Sequence, residues 1–131
     1  MIEWAWGVSR AIDYLETRSD IDPARLAFYG VSDGADAGVI LTALEPRLRT
    51  SVLQGAGTWG AAGPEIDPVN YAPRIRIPTL MLNGRYDFGS PYETSQRPLF
   101  ALLGSRAEDK RHSVFETGHA LPIDGDLQSL I

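Results

Sequence analysis

Three side chains in this 131-residue sequence have the types and surroundings that chemistry needs: Ser32, Asp87 and His119. Ser32 is the centre of Gly30-Val31-Ser32-Asp33-Gly34, Asp87 closes Gly84-Arg85-Tyr86-Asp87, and His119 follows Thr117-Gly118. A serine hydroxyl is a weak nucleophile until a base takes its proton, and neutral imidazole suits that task near neutral pH. The imidazole in turn needs a carboxylate to fix its tautomer and stabilise its cation. Together the three would carry out acyl transfer through a covalent intermediate. Each has rivals. His112 is the other histidine, but it falls at the entry of its strand, whereas His119 follows a glycine that lets a loop reach over the serine. Asp67, Asp109 and Asp124 lie in excursions or after the histidine. The bland readings are an ordinary glycine-serine turn around Ser32 and a turn aspartate at Asp87. Metal ligation fits poorly, because two histidines and no cysteine offer no ligand cluster.

The surrounding pattern predicts the elements that would hold these residues. Leu26-Ala27-Phe28-Tyr29 reads as a buried strand, and Ala35 to Glu45 reads as a helix stopped by Pro46. Ser32 would therefore sit on a sharp strand-to-helix turn, its hydroxyl at a helix N-terminus. Side chains at Gly30 or Gly34 are expected to collide with the crossing backbone. Upstream, residues 3–18 form an amphipathic helix with Trp4, Val8, Ala11, Ile12 and Leu15 on one face, and Trp6 and Tyr14 off it. Strands follow at Thr50 to Gln54, Ile77 to Gly84 and His112 to Glu116. A helix over Thr94 to Leu103 is interrupted by Pro98, which argues for a start near residue 97. The glycine- and proline-rich stretch 57–74 reads as a surface excursion, with Trp59 either a substrate contact or a loop anchor. Continuous apolar strands alternating with helices predict one α/β domain over 1–131, with a mainly parallel sheet of about four strands and helices on both faces.

The bulk properties exclude several partners. A net charge of -5 argues against nucleic acid and anionic membranes, and no window approaches a membrane span. Met1-Ile2-Glu3 does not open a signal peptide, so a cytoplasmic location is expected.

Several motifs together resemble one family. Asp22-Pro23-Ala24-Arg25-Leu26 leading into Tyr29-Gly30-Val31-Ser32 is similar to the dienelactone hydrolase and prolyl oligopeptidase-like branch of the α/β-hydrolases. Asp67 to Arg74, Met81 to Asp87, Glu93-Thr94-Ser95-Gln96 and Thr117-Gly118-His119 resemble bacterial esterase-type domains found fused behind serine/threonine kinases. The order Ser, Asp, His along the chain is the one that fold uses. The resemblance implies that Ser32, Asp87 and His119 are a catalytic triad and that the Asp33 amide is one oxyanion-hole donor. It also implies that the chain matches only the second half of such a domain, without the loop that supplies the second donor. One such donor contributes roughly 3 kcal/mol to the transition state. Asp33 departs from the apolar residue common after the nucleophile, and its carboxylate would disfavour anionic substrates. The expectation is a serine carboxylesterase acting on small uncharged esters, with no cofactor. The alternative is a weak or inactive hydrolase fragment acting as an interaction module. The strand before Ser32 would be an open sheet edge, so a homodimer is expected.

Overall fold

A computed structural model of the chain describes residues 2–58 and 63–121. Its strands are β1 (Ala27–Val31), β2 (Thr50–Gln54), β3 (Thr79–Gly84) and β4 (Lys110–Phe115). They form a four-stranded sheet in the order β1-β2-β3-β4, and every pairing is parallel. All carboxyl ends therefore lie on one side, where ligands of parallel α/β sheets bind. The helices are α1 (Ile2–Glu16), α2 (Asp33–Leu44) and α3 (Arg97–Leu102), the last entered through a π-helical turn, Tyr92–Gln96. Pro98 stands in the first turn of α3, where its missing N–H leaves no bond unmade.

Strand order decides where the helices go. Each crossover steps one strand in the same direction, and right-handed crossovers then put their helices on the same face. In agreement, Ala35 and Val39 of α2 pack in one core with Leu53, Met81, Leu99 and Leu103. Tyr29 and Val31, on the opposite face of β1, remain 62% and 45% exposed. Helices were expected on both faces; those among the described residues cover one. β1 is an edge of this sheet, as the sequence leads one to expect. Among the described residues no helix is long and apolar enough to cross a membrane.

α1 packs lower on the domain, with Ile12 against Leu26 and Leu48. Of its expected apolar stripe Trp4 stays half exposed. Arg47, just past α2, ties the two helices together. It donates to Glu45 Oε1 and Oε2 at 2.8 Å each, to Asp13 Oδ1 at 2.7 Å and to Ser9 Oγ at 2.8 Å. That guanidinium holds the Glu45 carboxyl well below its usual range, at about 2.

Candidate active site

The turn between β1 and α2 is strained in a useful way. Ser32 has φ 56 and ψ -125, the sole positive φ among the described non-glycine residues, and such conformations cost about 1–3 kcal/mol. Its backbone is held by Ser32 N–H donating to Gln54 O at 2.8 Å, and by Ser32 O accepting from Ala35 N at 2.8 Å and Asp36 N at 3.1 Å. A methyl group at Gly30 would overlap the Gly34 carbonyl, so the first turn of α2 crosses the strand only because Gly30 lacks a Cβ. Gly34 differs from expectation. A Cβ there meets nothing within 4 Å, because it points away from the crossing.

Asp87 and His119 arrive on the loops after β3 and β4, which are stitched to each other. Arg85 N–H donates to Phe115 O at 2.8 Å and Tyr86 N–H to Thr117 O at 2.9 Å. Arg85 Nε and the Tyr86 hydroxyl both donate to Glu116, at 2.6 and 2.7 Å. The Tyr86 hydroxyl, then Arg85, holds the Glu116 carboxyl below its ordinary range. A Cβ at Gly84 would overlap the Gly118 carbonyl, so this glycine lets the histidine loop fold back over the end of β3.

The three side chains then meet in one line. His119 Nε2 lies 2.8 Å from Ser32 Oγ, and His119 Nδ1 lies 2.6 Å from Asp87 Oδ2. The Asp87 side chain is fully buried, while that of His119 is 40% exposed, which leaves the reacting end open to solvent and substrate. Asp87 Oδ1 accepts from Gly89 N–H at 2.9 Å and Ser90 N–H at 3.2 Å, so its other oxygen is aimed at the imidazole. With Nδ1–H donating to the carboxylate, Nε2 is left as the acceptor facing the serine. Gly55 (φ +78) lies under the ring; a Cβ there would come within 3.1 Å of His119 Cε1. Asp33 is the first residue of α2, with its side chain exposed, and no described residue accepts a backbone hydrogen bond from its N–H.

The rivals fall elsewhere. His112 lies on β4, the edge opposite the serine, with Nε2 3.1 Å from Asn83 Oδ1 and its ring between Tyr92 and Phe100. Burial pushes it down to about 4. Asp67 caps a 3-10 turn by accepting from Val69 N–H at 3.0 Å, and Asp109 ends a surface 3-10 turn. Trp59 and Asp124 lie outside the described residues. Sequence reasoning passed over the polar residues buried behind the site, Asn83, Ser90, Ser95 and Gln96. Of these only Asn83 stands in an apolar run, where its polarity was a signal.

His112 yields a pH prediction. An unfolded histidine binds its proton near pH 6.5, whereas the folded chain admits one at His112 only near about 4. The unfolded state therefore holds more protons in that window, and stability contributed by neutral His112 is lost as pH falls from about 6.5 to about 4. Urea unfolding of His112→Gln is expected to show a shallower loss across that window than the parent. Parallel pH slopes would contradict this.

Comparison with known proteins places the chain. Residues 1–70, more than half of it, match the family profile described as "Glucuronyl esterase, fungi". The chain belongs to the glucuronyl esterase family. Within this family's curated members it is 41% identical over 64 residues to 4-O-methyl-glucuronoyl methylesterase 1 of Sodiomyces alcalophilus, a match over 47% of this chain and 13% of that enzyme. Among solved structures, the chain shares a TM-score of 0.71 and 25% identity with a cold-adapted esterase from an Arctic intertidal metagenomic library, over 86% of this chain and 45% of that one. A putative dienelactone hydrolase from Klebsiella pneumoniae has the same fold, with TM-score 0.70 and 23% identity over 87% of this chain and 48% of that one. This glucuronyl esterase family chain thus spans 13% of the curated relative and under half of each structural neighbour. The α/β-hydrolase fold expected from its motifs is the fold it has.

Proposed function

We propose that this chain hydrolyses carboxylic esters through an acyl-enzyme, with Ser32 as nucleophile, His119 as base and acid, and Asp87 as its orienting carboxylate. The observation that carries the reading is the continuous line Asp87 Oδ2–His119–Ser32 Oγ, with spans of 2.6 and 2.8 Å. Ser32 Oγ attacks the ester carbonyl as its proton passes to His119 Nε2. The carbonyl oxygen becomes an oxyanion beside the N-terminus of α2, where the Asp33 N–H and the helix dipole stabilise it. The C–O bond to the alcohol then breaks, and His119 returns the proton to the leaving oxygen. Water, deprotonated by the same nitrogen, attacks the acyl carbon; the bond to Ser32 Oγ breaks, His119 returns the proton to that oxygen, and the acid leaves.

The substrate follows from charge and kinship. The exposed carboxylate of Asp33 stands beside the nucleophile and repels anionic substrates. A neutral ester of a sugar acid meets that demand, and the relative named above is a methylesterase of a glucuronoyl group. Hydrolysis turns that neutral substrate into a carboxylate, which Asp33 helps to expel. The inactive-module alternative gains nothing here, since the named relative is an esterase. The test is a panel of a methyl glucuronate, a simple acetyl ester and an ester bearing a free carboxylate. Turnover of the neutral esters with the anionic one at least tenfold poorer is expected. No turnover of any ester, or a preference for the anionic one, would overturn the reading.

A further inference from the structure

Behind the acid loop lies a buried amide that the mechanism above does not use. Gln96 closes the π turn that enters α3 and is 0% exposed. Its Nε2 donates to Gly84 O at 2.8 Å and to Ser90 O at 2.6 Å. These two carbonyls bracket the loop that carries Asp87. Both partners are acceptors only, so the chemistry itself assigns the NH2 group to this position. Few other bonds close the loop. The turn bond from Asp87 N–H to Gly84 O is long, at 3.4 Å, and two more run from Gly89 and Ser90 N–H to the Asp87 carboxylate itself. Ser90 Oγ reaches Gly55 O only at 3.5 Å, while the Arg85 and Tyr86 N–H bonds tie the start of the loop to the strand and loop of His119.

The other half of the amide is the informative part. Gln96 Oε1 is buried and has no hydrogen-bond partner among the described residues. A buried carbonyl without a partner costs about as much as two ordinary hydrogen bonds contribute net, so stability alone gives little reason for an amide at this place. What the amide supplies is a fixed spacing between the two ends of the loop. The π turn helps, because its extra residue re-aims the chain so that neighbouring side chains face inward together. Ser95, one residue earlier, is likewise buried, and its Oγ accepts from Thr58 N–H at 2.8 Å on the loop after β2.

We propose that Gln96 is a positioning residue for the reaction: by clamping Gly84 and Ser90 it sets where Asp87 Oδ2 meets His119 Nδ1. The inference rests on the triad reading above but is testable apart from it. The experiment compares Gln96→Met with the parent and with Leu99→Ala, a variant of α3 in the hydrophobic core. Two signals are read in each folded protein: ester kinetics, and the low-field NMR resonance expected of the imidazole proton between His119 and Asp87. Gln96→Met is expected to lower kcat by about 10- to 100-fold with KM nearly unchanged, the scale of a small misplacement in a catalytic group. Its low-field resonance shifts or broadens away, and its thermal midpoint falls because Gly84 O and Ser90 O lose their amide donor. Leu99→Ala loses stability, yet its folded fraction keeps both kcat and the resonance. If Gln96→Met does not fold, Gln96→Asn, too short to span both carbonyls, is read by the same two signals. The proposal is overturned if the folded Gln96 variant keeps parental kcat and resonance, or loses activity only with its unfolded fraction. Should the parent hydrolyse no ester, the reading of function fails while the resonance still decides the role of Gln96.

Discussion

Ser32→Ala is expected to lower ester hydrolysis by about four to six orders of magnitude, while the fold and thermal midpoint stay close to the parent's. The kinetic loss follows from removing the atom 2.8 Å from His119 Nε2. The preserved fold follows from the way the elbow is held. Its three bonds run from the Ser32 N–H to Gln54 O and from Ala35 and Asp36 N–H to Ser32 O, and none uses the hydroxyl. Alanine also accepts the same positive φ at no greater cost than serine. Steady-state hydrolysis and thermal unfolding, measured on the same preparation, check both halves. A variant that keeps a tenth of the parental kcat would show that another group does the attacking.

The second large effect is expected at Asp87, and it turns on which oxygen does what. Asp87 Oδ1 accepts two backbone N–H groups, from Gly89 and Ser90, while Oδ2 faces His119 Nδ1. In Asp87→Asn the side-chain oxygen must stay with those two donors. The new NH2 group is then forced towards the imidazole, so Nδ1 has to become the acceptor and the proton moves to Nε2. The ring then points a hydrogen at Ser32 Oγ instead of a lone pair. An aspartate-to-asparagine change of this kind costs on the order of 10,000-fold in kcat with the geometry intact. Stability should hardly change, since the loop keeps both of its bonds. A rate within tenfold of the parent's would show that His119 does not depend on Asp87 for its tautomer.

Much of this site was legible in the sequence because its parts are local. Gly30 and Ser32 announce a strand-to-helix turn, and the apolar runs place Asp87 and His119 just past strand ends. β2 begins and ends where its apolar run does, and Pro98 marked the start of α3 to within a residue. What failed to show was non-local. The sequence carries the periodicity of each helix but not the strand order that gathers the described helices on one face. Gly34 looked as constrained as Gly30, since the motif does not say which glycine the crossing backbone leans on. A five-residue π turn has no period to detect, so Tyr92–Gln96 read only as the lead into a helix starting near residue 97. Gln96 therefore looked like a surface polar residue, although it donates to buried carbonyls 12 and 6 residues earlier in the chain.

The most direct test of the central claim is covalent capture of the nucleophile. A serine-reactive fluorophosphonate is incubated with the parent, with Ser32→Ala and with His119→Ala, and adducts are counted by intact mass and located by peptide mapping. One adduct, on Ser32, is expected in the parent, none in Ser32→Ala, and labelling at least a hundredfold slower in His119→Ala. An adduct on Ser90 or Ser95, or equal rates in the parent and His119→Ala, would contradict the account.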